Sequence, residues 1–236
     1  MTTTPSLALA DAGEAADLAA FLVRLLRFDR AAAVRLQAVA GSGAEADPVG
    51  ESGVVAVFGR LPLGSAGALA IRTARLARLD APADLTVSAG QLLDAVDTET
   101  GTLRLPAPVT GPSWAGMLPP RAGWEPVGEP AAEAVVPEVL AAVREFRERS
   151  EAVPEHHRTR AVLDGLADEI WSRPLGAQPE LPLRAAHAAY VVGFLKPQEH
   201  LTVHRVGPWR RLNAPAGSIA VRTAAPGAGL GLSPLR

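Results

Sequence analysis

Ala66-Gly67-Ala68-Leu69-Ala70-Ile71-Arg72-Thr73-Ala74 recurs, 150 residues on, as Ala216-Gly217-Ser218-Ile219-Ala220-Val221-Arg222-Thr223-Ala224. Every mismatch exchanges similar residues. The likeness extends upstream. Phe58-Gly59-Arg60-Leu61 lies over Trp209-Arg210-Arg211-Leu212, Val34 over Val203, and Ala19-Ala20-Phe21-Leu22-Val23 over Ala188-Ala189-Tyr190-Val191-Val192. Internal similarity reports architecture even where no catalytic signature is present. The competing explanation is two unrelated hairpins in an Ala-rich chain, with Gly67 and Gly217 supplying the same turn chemistry.

Around this motif the hydrophobic period reads helix, strand, strand, strand in each copy. Leu18, Phe21, Leu22, Leu25 and Leu26 recur at helical spacing and predict a helix over 14–28, capped by Asp11. Val34 to Val39 alternates and reads as a strand. A polar stretch over 41–53 reads as a loop, followed by strands over 54–61 and 68–73. In the second copy a helix is expected over 183–195, then strands over 201–206, 209–212 and 218–223.

Between the copies, residues 106–130 hold seven prolines together with Trp114, Met117 and Trp124. Proline excludes a regular helix or central strand there. Two tryptophans argue for an extended strap lying on the folded body. Helices are expected from Pro137, at a first helical position, and around Val162 to Trp171.

The expected fold is therefore α+β: two similar helix–β–β–β half-modules with antiparallel sheets, joined by a Pro/Trp-rich strap and a helical insert. The expected division is an N-terminal module over 1–105 (repeat copy 15–74), the strap over 106–136, a helical and hairpin module over 137–224 (repeat copy 184–224), and a loose tail over 225–236.

Composition narrows the function classes. A chain of 236 residues with 48% hydrophobic and 20% charged side chains has the material for a large core. The absence of cysteine excludes disulfides, Cys-ligated metal and a thiol nucleophile. Lys196 is the single lysine and Asn213 the single asparagine, which reads as the codon usage of a high-GC bacterial genome. No basic segment follows Met1 and no run of about 18 apolar residues occurs, so a cytoplasmic protein without a signal peptide or membrane helix is expected. Residues 1–143 carry 10 basic and 16 acidic side chains, and residues 144–236 carry 13 and 9. The balances of −6 and +4 point either to an anionic partner for the second part or to attraction between the parts.

Arg60 and Arg72 match Arg211 and Arg222 in the alignment. With Ala68 and Ala70 beside Arg72 on one strand face, the four form a candidate pair of anion sites for carboxylate or phosphate. The competing reading is structural ion pairs. Trp114 and Trp124 are candidate anchors for a protein partner, or staples between the two parts of the chain. No metal site is expected: His200 and His204 are four apart but in a turn and strand, and no His-Glu-x-x-His occurs. Asp164, Asp168 and Glu169 read as a solvated helix face with Arg160. No phosphate loop or nucleophile elbow is present, and no cofactor is expected.

The leading expectation is a non-enzymatic binding or adaptor protein with a protein partner or self-association. The first alternative is DNA binding through the C-terminal helices and a hairpin bearing Arg205, Arg210 and Arg211, disfavoured by the apolar 183–195 helix. The second is an enzyme whose site is assembled from scattered residues such as His187, Asp168 and Arg222.

Overall fold

The computed structural model describes residues 5–40 and 53–223. The loop expected over 41–53 lies outside them except for Gly53, and the tail over 225–236 lies outside them entirely. The first half runs β1 (Ser6–Leu9), α1 (Ala12–Leu26), β2 (Ala33–Ala40), β3 (Gly53–Leu61), β4 (Ala68–Arg78), β5 (Ala83–Ser88), α2 (Ala89–Asp94), β6 (Val96–Asp97) and β7 (Thr102–Arg104). The second runs β8 (Glu125–Gly128), α3 (Ala132–Ala152), α4 (Arg160–Trp171), β9 (Pro174–Leu175), β10 (Gln178–Pro182), α5 (Leu183–Val191), β11 (Thr202–Val206), β12 (Trp209–Ala214) and β13 (Gly217–Arg222). The protein is α+β, with its helices mixed with antiparallel strands.

One sheet joins both halves, in the order β5-β2-β3-β4-β13-β12-β11-β8. The two copies of the quoted motif are thus neighbours, β4 against β13, with Leu69 opposite Ala220, Ala70 opposite Ile219 and Ile71 opposite Ser218. Farther along the same edge of β4, β1 pairs at Leu76 and Arg78. Pro126 sits in the end strand β8, where a missing N–H is tolerated.

The helices pack on one side of this sheet. Leu18, Phe21, Leu22 and Leu25 of α1 and Ala185, Ala186, Ala188 and Ala189 of α5 are buried in one core with Val34, Leu36, Ala70, Val203, Ile219 and Val221. Asp11 caps α1 by accepting from the Glu14 N–H at 2.9 Å. The alanines of α5 let that helix lie close to the strands. Phe21 of α1 and Phe194, just beyond α5, stack at 5.8 Å within this core. Gly59 is required by close approach: a Cβ there would stand 2.5 Å from a Leu25 methyl. Among the described residues no helix is long and apolar enough to cross a membrane.

The strap crosses the other side. Trp114, Leu118 and Trp124 pack on a smaller cluster of Phe58, Leu69, Ile71, Trp209 and Ala220. Leu69 and Ile71 therefore face the strap, whereas the residues aligned with them, Ile219 and Val221, face the helices. The two motif copies are one residue out of step in the sheet, and because side chains alternate at every residue, a one-residue slip exchanges the faces.

Several expected elements differ. The helix expected from Pro137 begins at Ala132 and carries Pro137 within its second turn. The helix expected over 183–195 ends at Val191, with Gly193 at φ 74° just beyond it. β5 was unread because Ala83, Asp84 and Leu85 do not alternate cleanly. It forms because β2 offers a full edge from Ala33 to Ala38.

Candidate functional site

The strap does not lie flush on the sheet. Between its Pro112–Met117 segment and the β4–β13 seam is an open cleft of about 420 Å³. Leu69 and Ala220 form its floor, Trp114, Trp209 and Met117 its walls, and Arg60 and Arg222 flank it. A short 3₁₀ turn, Ser113–Gly116, presents Trp114. The β3–β4 turn forms one lip. Gly64 and Gly67 take φ of 67° and 64° there, a region open to glycine at no steric cost. Asp168 of α4 fastens this lip by accepting from the Ser65 N–H at 2.7 Å.

Some arginines of this molecule are ion-paired, and among the described residues those of the cleft are not. Arg35, Arg72, Arg75, Arg149, Arg173 and Arg210 are each within ion-pair distance of a carboxylate. Arg60 donates to the Ser65 carbonyl at 2.9 Å, and Arg222 contacts Met117 Sδ at 3.0 Å. Among the described residues neither has an acidic partner, and no acidic side chain lines the cleft.

The four candidate arginines are thus divided. Arg60, Arg211 and Arg222 lie on the strap side. Arg72 lies on the helix side, where it pairs with Asp17 at 2.9 Å and Glu14 at 3.5 Å and donates to the Ala216 carbonyl at 2.6 Å. It is a buried structural cation, and its distance from Arg222 follows from the one-residue step between the motif copies. Arg211 donates from Nε and Nη2 to Ser218 Oγ at 3.0 and 2.9 Å, and its guanidinium carbon lies 5.6 Å from the Trp124 ring centre. Burial lowers its pKa below the usual arginine value.

Trp114 and Trp124 are half-buried against the sheet, so both staple the strap to the body. Trp124 also donates to the Pro120 carbonyl at 2.8 Å. Trp209 and Met117 are the cleft residues that sequence reasoning missed. The alignment of Trp209 with Phe58 was the available signal for the first, while nothing local marks Met117.

The remaining candidates do not converge. No group of three His, Asp or Glu side chains suited to a metal occurs among the described residues. Arg222 lines a cleft that His187 and Asp168 do not. His187 stacks on Trp171 at 4.2 Å, and burial pushes its pKa down to about 4. Asp164 pairs with Arg160 on the exposed face of α4. Glu169 is held at about 2 by the guanidinium groups of Arg149 and Arg173. On the hairpin, Arg205 and Arg210 pair with Glu125 and Glu180.

Two family models match this α+β chain. Residues 2–116 match a domain of unknown function (DUF8010), and residues 119–226 match a second domain of unknown function (DUF8185). The junction falls at residues 117–118, inside the strap. No curated protein and no solved structure matches the chain.

Proposed function

We propose that the protein is a non-enzymatic binding protein, and that the cleft over the β4–β13 seam takes a small anion with a flat apolar body. The observation that carries this reading is the pairing of two arginines that lack carboxylate partners among the described residues, Arg60 and Arg222, with the indoles of Trp114 and Trp209 around one opening. A guanidinium fork suits carboxylate, sulfonate or phosphate, and indole faces suit an aromatic or planar body. The floor residues Leu69 and Ala220 add apolar surface without a competing charge.

The proposed architecture behind this cleft is two related half-modules meeting at the seam. A constant spacing of 151 residues puts Phe58 over Trp209, Arg60 over Arg211 and Leu69 over Ala220. It also preserves the cross-strand pairing, since Arg60 faces Leu69 as Arg211 faces Ala220. On this reading the cleft sits where the two modules meet, a position in which ligand sites recur. A cytoplasmic setting and a protein partner remain part of the proposal. The DNA-binding alternative is set aside because Arg205 and Arg210 are engaged by glutamates.

The test is titration with 2-naphthoate, followed by tryptophan fluorescence, beside the neutral 2-naphthalenemethanol. Saturable quenching by the carboxylate and at least tenfold weaker quenching by the alcohol are expected. Arg60→Ala with Arg222→Ala should reduce carboxylate affinity at least tenfold while far-UV circular dichroism is unchanged. Equal affinity for acid and alcohol, or for parent and double variant, would overturn the reading.

A further inference from the structure

Arg211 lies on the strap side but outside the cleft, where two small cavities of about 200 and 150 Å³ both reach it. Arg121 and Gln37 line the larger, and Asn213 and Ser218 the smaller, with Thr73 common to both. Among the described residues no acidic side chain lines either one. Arg121 donates to Gln37 Oε1 at 3.1 Å and feels the charge of Asp84, whose carboxylate is already held by Arg35 and Gln37. His204 lies directly opposite Arg211 across the β11–β12 pair, with its Nδ1 2.9 Å from the Asn213 amide.

A half-buried guanidinium normally has a carboxylate beside it, because an unpaired charge out of water is costly. Arg72, the comparable buried arginine of β4, has two. Among the described residues Arg211 has only a hydroxyl and an indole face. The hydroxyl is informative in itself. Ser218 is 5% exposed, and its oxygen accepts two N–H bonds from Arg211. Both lone pairs are then used, and the Ser218 O–H donates to no acceptor among the described residues. A cation and a spare hydroxyl donor therefore border the same cavity, with a second cation across the neighbouring one.

We propose that this junction is a second anion site, separate from the cleft, which takes a small oxyanion of the phosphate or carboxylate class. Arg211 supplies the charge, Ser218 donates its hydroxyl proton, and Arg121 completes the site from the strap. The cavities are smaller than the cleft, so this site favours a compact anion. An anion bound here bridges the strap to β12 and β13.

The experiment is phosphate titration of the full chain by 31P line broadening and by thermal denaturation, against sodium chloride at matched ionic strength. Acetate forms a second arm. Saturable broadening and a rise in Tm beyond that in chloride are expected. Arg211→Gln should weaken binding at least tenfold and Ser218→Ala several-fold. These titrations are run in the Arg60→Ala, Arg222→Ala background, which removes anion binding at the cleft, so that the binding that persists there reports on Arg211, Ser218 and Arg121 alone. If Arg211→Gln does not fold, Arg121→Gln and Ser218→Ala serve in its place, each expected to weaken binding several-fold. Saturation by acetate alone assigns a carboxylate and upholds the site. Phosphate and acetate effects no greater than that of chloride, or binding that survives all three substitutions, would overturn it.

Discussion

Leu69 and Ala220 face each other across the seam between β4 and β13, on the strap side, while Ile219, which stands over Leu69 in the repeated motif, packs among the helices. The repeated letters and the paired backbones thus differ by one residue. That step places Arg72 and Arg222 on opposite faces, and it has measurable consequences.

The first concerns these two arginines. Arg72 has a side chain 10% exposed and bridges α1 to β4 through Asp17 and the Ala216 carbonyl, so Arg72→Ala removes both bonds and the packing of its stem, while Glu14 keeps Arg75 at 2.8 Å. A loss of about 1–3 kcal/mol is expected from the lost charge-assisted bonds and packing. Arg222→Ala removes an exposed side chain without a carboxylate partner among the described residues, and a change within about 0.5 kcal/mol is expected. Urea midpoints of the two variants check the contrast, and equal losses would contradict the face assignment.

Close packing at Gly59 gives a second prediction. A methyl group there meets Leu25 at 2.5 Å, within the fully buried core. Gly59→Ala should cost about 1–3 kcal/mol through overpacking. Adding Leu25→Ala should make the pair of changes less than additive, because the second removes the clash created by the first. Chemical denaturation of the double-mutant cycle measures the coupling.

His187 sets a dependence on pH. Its folded pKa, depressed by burial to about 4, lies below the ordinary histidine value of 6.5. The unfolded chain therefore binds the proton more readily. This contribution to stability is fully present above about pH 6.5 and declines as the pH falls from there to about 4, by roughly 3 kcal/mol at most. His187→Leu, a change of similar size, should flatten the profile over that interval in denaturant titrations run at successive pH values. A parent and a variant with parallel profiles would remove His187 as the cause.

The lip of the cleft supplies the last prediction. Asp168 holds the turn containing Gly64 and Ser65 from a separate helix. Asp168→Ala should speed amide hydrogen exchange at Ser65 and its neighbours at least tenfold, since removal of the acceptor costs a charge-assisted bond of about 1.5–3 kcal/mol. Asp168→Asn retains an acceptor oxygen and should fall between. Exchange followed by mass spectrometry of the peptide spanning the turn decides the matter.

Much of the local structure was legible in the chain. The α1 stripe from Leu18 to Leu25, its Asp11 cap, the strand alternation and the strap with its tryptophans each depend on neighbours within a few residues, and period and turn chemistry report such neighbours directly. The opposed orientation of Arg72 and Ile71 was legible for the same reason. The pairing of β4 with β13 was not, because it joins segments about 150 residues apart and strand register carries no local mark. Only the tertiary structure decided which face each motif copy presents, which arginines meet carboxylates and which are left among indoles and hydroxyls. Charge neutralisation is a property of the groups that surround a side chain in space, and the sequence order of Glu14, Asp17 and Arg72 does not disclose that they meet.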